Sequence, residues 1–264
     1  MNNKNLQHKK TNLFIVLAGI FITNAIVAEI IGVKIFSMEK ILGINPVQIN
    51  FFNIYALDFN LTAGVLIWPV VFVTTDIINE YFGKQGVIKI TIITSFLICY
   101  VFFILWLAIA LPPAQFWLDV NSKDVAGNAI NINSAYATIF RQGAGIIAGS
   151  LTAFLIGQLL DMYVFHFIRK YTGKKYIWLR ATGSTLISQL VDSFVVLFVA
   201  FYLFGGEHAW KLSMVFSVGI LNYIYKFVLA IAMTPLLYIA HNLIDKYLGK
   251  KESKNIIENA NNSY

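Results

Sequence analysis

Three sets of carboxylates and amides interrupt otherwise apolar sequence, and each is spaced to share a helical face. Asp76, Asn79 and Glu80 stand at i, i+3 and i+4 within Val71–Lys84. Gln158 and Asp161 form a Gln-x-x-Asp pair, and Gln189 and Asp192 form a second. An amide beside a carboxylate can accept and donate hydrogen bonds together, which suits reversible binding of a polar solute. A carboxylate enclosed in apolar surroundings can also exchange a proton. Neither set suits covalent chemistry. The sequence holds no Gly-x-Ser-x-Gly and no His-Glu-x-x-His, and His166, His208 and His241 fall near the ends of apolar runs or in connections. Cys99 is the single cysteine, so an internal disulfide and a Cys/His metal site are both excluded. No metal and no cofactor are expected, and the chain does not read as an enzyme.

The elements that must position these groups are membrane helices. Of 264 residues, 58% are hydrophobic and only 12% are charged, against about a quarter in a soluble domain. Apolar runs long enough to cross a bilayer recur along the chain, without the short alternating segments of a β-barrel. The fold class is therefore all-α, a polytopic bundle of six transmembrane helices, with spans over 12–36, 61–82, 86–111, 137–168, 180–204 and 212–245. Asn45, Pro46 and Asn60 mark the first connection. Pro112 and Pro113 end the third span and Gly205 and Gly206 the fifth. Residues 1–11 form an N-terminal tail, 12–245 one membrane domain, and 246–264 a C-terminal tail expected to be disordered from Lys250 onward. The first run is too long for a signal-peptide core.

Basic residues set the orientation. Lys4, Lys9, Lys10, Lys84, Lys89, Arg169, Lys170, Lys174, Lys175, Arg180, Lys246, Lys250, Lys251 and Lys254 fall on one side, against Lys40, Lys123 and Lys211 on the other. The positive-inside rule puts both termini in the cytoplasm of a multi-pass inner (plasma) membrane protein. The net charge of +7 is thus topology, and no nucleic acid is expected as a partner. Residues 38–60, with Asn50, Phe51, Phe52 and Tyr55, and 112–135, with Gln115–Leu118, read as outer connections lying at the lipid headgroups.

Depth separates the polar groups. Asp192 is near the midplane, where a carboxylate costs about 2.5–3.5 kcal/mol on insertion scales. Asp76 is about a third of the way in from the cytoplasm, and Glu80 and Lys84 are close enough to the end to serve as interfacial charges. Lys34 ends the first span, with Glu29 and Asn24 deeper; it could snorkel to the headgroups. Asp161 could pair with Arg180 or a nearby lysine. Arg141 opens the fourth span as an anchor or a site residue. Lys226 lies in the sixth with Asn222 and Tyr223. Pro69 permits a kink, and Gly145-x-x-x-Gly149 favours close helix packing.

Over Thr75-Asp76-x-x-Asn79-Glu80-x-x-Gly83-Lys84 the sequence resembles the queuosine precursor transporter family, matching every fixed position of its hallmark. Lys34, Arg141, Gly149–Asp161, the Trp178-Leu179-Arg180 block with Ser184 and Thr185, Gln189 and Asp192, and Thr234-Pro235 with Tyr238 extend the resemblance over 12–245. Ala181 departs from an expected asparagine, the loops at 38–60 and 112–135 are longer than in compact members, and Glu29 matches no family position. The resemblance implies import of 7-deazaguanine precursors of queuosine, 7-cyano-7-deazaguanine or its aminomethyl relative, for tRNA modification. The partners are then that base and the bilayer, and the sequence leaves a homodimer open.

A guanine-like edge offers two N–H donors to a carboxylate and a carbonyl to an amide. Gln189, Asp192, Gln158, Asp161 and Ser184 are therefore the expected substrate contacts, with Asp192 the acceptor. Asp76, Asn79, Glu80, Lys34, Arg141, Arg180 and Lys226 are the expected gating or coupling set, with Asp76 and Glu80 paired to Lys34 or Lys226. The rival readings are a substrate-binding subunit of an ATP-driven vitamin importer, a membrane enzyme, and a channel or structural protein. The first would need a separate ATPase chain, because no Walker A motif is present.

Overall fold

The computed structural model describes residues 3–46, 48–51, 55–141, 143–172 and 176–262. Phe52, Lys174 and Lys175 lie outside the described residues. Helix α1 (Asn3–Ile31) presents Leu13, Leu17, Phe21, Ala25 and Ala28 as one buried stripe. The stripe recurs every three or four residues, the helical period, and packs on helix α3 (Trp68–Ala110). Between them lie strand β1 (Ile35–Ser37), helix α2 (Met38–Leu42), and strands β2 (Ile49–Phe51), β3 (Tyr55–Leu57) and β4 (Asn60–Thr62). β1 pairs with β4 and β2 with β3, both antiparallel. Ser37 caps α2 by accepting from the Lys40 amide at 3.3 Å. The buried Glu39 carboxylate accepts from Ser37 Oγ at 2.8 Å and from the Phe59 amide, which pins α2 to the connection.

Helix α3 is 43 residues long and carries one non-helical residue, Gly83, at φ 65° and ψ −168°. Those angles are open almost only to glycine, so the break occurs where the sequence placed the end of a span. Before the break, residues 73–81 are buried on every face. This half of α3 is the axis of the bundle. After it, Ile92, Phe96, Phe103 and Trp106 are exposed while Thr91 and Thr94 are fully buried. Polar inside and apolar outside is the arrangement a lipid solvent selects.

Helix α4 (Gln115–Val120) is a short helix over the Gln115–Leu118 segment. In the loop after it, the Asn128 side-chain amide and the amides of Asn128 and Ala126 bond the Asp124 carboxylate, holding it below its ordinary pKa. Helix α5 (Ile132–Phe140) then ends at Arg141, so the expected span from 137 to 168 starts late, as helix α6 (Ala144–Thr172).

Helix α6 and helix α7 (Ile177–Leu197) form the most extensive pair, antiparallel across a short connection. Gly149 makes the approach possible: a Cβ there would meet the Val196 carbonyl oxygen at 2.9 Å. The packing role read from Gly145 and Gly149 thus matches their contacts with Val196, Ala200 and Phe204. A π-helical turn, Phe198–Leu203, closes α7.

The expected sixth span is divided into helix α8 (Leu212–Ala232) and helix α9 (Thr234–Leu248). Pro235 supplies no N–H and its ring cannot pass the preceding turn, so the helix restarts with proline in its first turn. The tail beyond Lys250 is a further correction. It forms helix α10 (Lys250–Asn262), which buries Ser253, Ile256 and Ala260 against the bundle. Ile256 and Ala260 are one turn apart, and that stripe suffices to dock a segment whose composition reads as disordered.

Among the described residues five helical stretches are long and apolar enough to cross a membrane: Lys4–Ile31, Trp68–Ala110, Ile132–Thr172, Ile177–Leu203 and Leu212–Ala232.

Candidate substrate pathway

Three polar layers lie one above another between α1, α3, α6, α7 and α8. The first is an ion cluster beside the Gly83 break. Arg180 Nη2 donates to Glu80 Oε1 at 2.7 Å and Arg180 Nε to Oε2 at 3.1 Å. This two-bond fork is the geometry for which arginine is suited. Arg169 adds a second guanidinium, with Nη1 3.3 Å from Oε2. Its Nη2 also donates to the Ile257 carbonyl at 3.5 Å, which ties α10 to the cluster. Arg180 stacks over Phe165 at 5.7 Å. The expected partners of Glu80, Lys34 and Lys226, are thereby corrected. Lys34 is exposed in the turn after α1, and Arg141 is exposed at the end of α5.

The second layer is one turn deeper on α3. Asp161 Oδ1 accepts from Ser184 at 2.9 Å and from Thr185 and Ser188 at 3.4 Å. Its Oδ2 accepts from Asn79 Nδ2 at 3.4 Å. Asp161 is therefore held by hydroxyls and an amide, not by Arg180 as the sequence suggested. Thr75 Oγ1 donates to Gln158 Oε1 at 3.1 Å, so the Gln158/Asp161 pair grips the Thr75–Asn79 face of α3 at two points. Among the described residues, Asp76 Oδ1 and Asn79 Oδ1 are buried without a hydrogen-bond partner. Asp76 lines a narrow cavity with Phe72, Thr182, Thr185, Met233 and Thr234. Its volume is about 20 Å³, room for about one water. The pathway is closed at this level.

The third layer holds Asp192, ion-paired to Lys226 Nζ. Ser150 Oγ donates to Glu29 Oε2 at 2.5 Å, and the Glu29 and Asp192 charges are near enough to repel. Gly157 faces Asp192: a Cβ there would lie 3.6 Å from Oδ1. Gln189 is buried on α7 one turn before Asp192.

The two Gln-x-x-Asp pairs consequently belong to different layers. Because α6 and α7 are antiparallel, Asp161 lies level with Ser184–Ser188, and Asp192 lies level with Gly157. The two carboxylates are about 10 Å apart along α7 at 1.5 Å per residue.

Sequence reasoning assigned Gln158, Asp161 and Ser184 to substrate contact and Asp76, Asn79, Glu80 and Arg180 to gating or coupling; the structure gathers all seven between α3, α6 and α7. It missed Arg169, which was read only as a topology marker. The available signal was position, since Arg169 is two turns after Asp161 and shares its face. It also missed the Glu29–Ser150 contact, which spans 121 residues and leaves no local trace. A network of Tyr81, His241, Asp245 and Ser253 was equally invisible: Tyr81 Oη donates to Asp245 at 3.1 Å, and Ser253 on α10 joins the same carboxylate.

Comparison with known proteins covers most of this framework. The model of the family described as "Putative vitamin uptake transporter" matches residues 62–240. A "Probable queuosine precursor transporter" of Bacillus subtilis (strain 168) is 30% identical over 189 residues, which is 70% of this chain and 75% of the relative. A protein of the same description from Haemophilus influenzae (strain ATCC 51907 / DSM 11121 / KW20 / Rd) is 27% identical, over 67% and 66% of the two chains. The "Queuosine precursor transporter" of Escherichia coli (strain K12) is 26% identical over 76% of this chain and 82% of its own. No solved structure matches the chain. The family match contains all three layers apart from Glu29, and it ends before α10. The chain belongs to this vitamin uptake transporter family, in which its three relatives carry the name queuosine precursor transporter.

Proposed function

We propose that the protein imports 7-deazaguanine precursors of queuosine, 7-cyano-7-deazaguanine or 7-aminomethyl-7-deazaguanine, across the inner membrane. It is a transporter and not an enzyme, as its relatives are by name. The observation that carries the substrate is the match to queuosine precursor transporters over the residues that build the polar layers. A stack of hydrogen-bonding groups between apolar helices is what a flat polar heterocycle needs in order to leave water.

The membrane arrangement in this proposal has six crossings. Helix α3 would extend about 65 Å at 1.5 Å per residue, about twice the hydrocarbon thickness. The Gly83 break divides it into two crossings joined at the cytoplasmic face. With Lys84, Lys89, Arg169, Lys170 and Lys246 at that face, the positive-inside rule supports cytoplasmic termini. The Glu80 cluster is then the inner closure, and the Asp192–Lys226 pair lies toward the outside.

The test is expression in a strain that cannot make queuosine precursors and lacks its own importer. Each precursor is supplied in turn and tRNA is assayed for the modified base. Modification at low precursor concentration, absent with empty vector, is expected. Unmodified tRNA from cells whose membranes contain the protein would overturn the substrate. Uptake by the purified protein in liposomes is expected without any ATPase, and a requirement for a second chain would favour a capture subunit.

A further inference from the structure

The carboxylates of the pathway differ in what already occupies them. Glu80 is taken by two guanidiniums, Asp161 by three hydroxyls and an amide, and Asp192 by Lys226. Glu29 accepts from Ser150. Asp76 is the exception: 6% exposed, it lines the cavity, and its Oδ1 has no partner among the described residues. Asn79 is fully buried one turn on, with its Nδ2 committed to Asp161 and its carbonyl oxygen likewise unpartnered. Two buried acceptors without donors are costly, each by about 1–3 kcal/mol, more for a charge. A ligand that brings donors relieves that cost.

We infer that Asp76 is the specificity-determining acceptor for the substrate, reading the ring N–H and exocyclic 2-amino group of a guanine-type base, with the Asn79 carbonyl beside it. The inference rests on the import of a 7-deazaguanine proposed above, and it moves the substrate contact from Asp192 to Asp76. The other walls of the cavity suit the rest of such a base. Phe72 offers an aromatic face, itself stacked on Trp68 at 5.9 Å. Thr182 and Thr234 hydroxyls, 3.0 Å apart, are at hand for the base carbonyl. A cavity of about 20 Å³ admits no base, so one wall must move. Ala230, Met233, Thr234 and Leu237 form a wall that straddles the α8–α9 break, where the helical hydrogen bonding is already interrupted at Pro235.

The experiment is competition against tritiated 7-aminomethyl-7-deazaguanine. The competitors are the unlabelled base and its analogue lacking the 2-amino group, in cells expressing the wild type or Asp76→Asn. The wild type should favour the amino-bearing competitor by about ten- to a hundredfold, the worth of hydrogen bonds to a charged group. Asp76→Asn should bring that ratio near one, whereas Asp192→Asn should lower uptake and keep the ratio. If Asp76→Asn inserts but takes up too little label, binding of the same label to purified protein replaces uptake. A wild-type ratio in that binding assay overturns the assignment. If the variant does not insert, Asp76→Glu keeps the charge and shifts it by one methylene; an unchanged ratio there overturns the assignment too. No uptake of either base by the wild type defeats the importer reading itself. Uptake with an Asp76-independent ratio defeats the Asp76 role alone.

Discussion

Two ion pairs bracket the pathway, and they are built differently. The Glu80–Arg180 pair is almost sealed, with side-chain exposures of 3% and 2%, and a second guanidinium backs it. The Asp192–Lys226 pair is one-fifth exposed on both sides, 20% and 21%, and uses a single ammonium. Arg180 and Asp192 are about 18 Å apart along α7 at 1.5 Å per residue. A planar fork on a sealed carboxylate is costly to open, because each bare charge would lie in apolar surroundings. A lysine point charge on a flexible stem, held by one contact and partly exposed, separates at far lower cost. The Glu80 cluster therefore clasps α3 to α6 and α7, and the Asp192 pair is the more readily separated of the two.

That contrast can be broken in graded steps. The largest effect is expected from Arg180→Met, which takes the two-bond fork from Glu80 and leaves it Arg169 alone. Removing one partner of a buried pair costs about 3–5 kcal/mol, to be read as a drop in thermal unfolding temperature in detergent. Adding Glu80→Gln should recover most of the loss, and a double variant as unstable as the single would deny the pair its role as clasp. Gly83→Ala comes next. A Cβ at φ 65° and ψ −168° is strained by about 1–3 kcal/mol. Because the break abuts the Glu80 cluster, its cost should shrink when the clasp is already removed by Arg180→Met with Glu80→Gln. Full additivity in that thermal series would show the two to be independent.

Asp192→Asn should cost less in stability, under about 2 kcal/mol, since the pair is less enclosed and the amide can still accept from Lys226. Uptake of labelled precursor should nonetheless fall more than tenfold. Wild-type uptake by this variant, or a stability loss matching Arg180→Met, would erase the distinction between clasp and gate. The smallest effect belongs to Glu29→Gln, about 1 kcal/mol from the weakened Ser150 hydrogen bond. Removing a negative charge next to Asp192 should leave its attraction to Lys226 unopposed and slow uptake severalfold. Faster uptake would reverse that reasoning.

Much of the framework was legible in the residues. The gap between the spans at 61–82 and 86–111 marked a break, and α3 breaks there, at Gly83. Gly145 and Gly149 announced close packing, and they meet α7 and its closing turn. The spacing of Asp76, Asn79 and Glu80 named one face of one helix. The partners of that face were not legible. Glu80 finds Arg180 one hundred residues away, while Lys34, the nearer candidate in sequence reasoning, points into exposed surroundings. Both Gln-x-x-Asp pairs were expected to contact one substrate, yet antiparallel packing sets their carboxylates at different depths. α10 was hidden because its composition is polar and its buried side chains are few, Ser253, Ile256 and Ala260 among them.

By itself the sequence determined the all-helical membrane class, the recurrence of long apolar helices and the residues of the polar face. These follow from length, hydropathy and the 3.6-residue period, which are local properties. Only the tertiary structure decided which carboxylate is sealed, which separates more readily from its partner, and which is left with an unanswered acceptor. Those properties depend on the depth at which one helix meets another. An axial offset of two turns between α6 and α7 would carry Asp161 away from Ser184, Thr185 and Ser188 without changing the helical period of either.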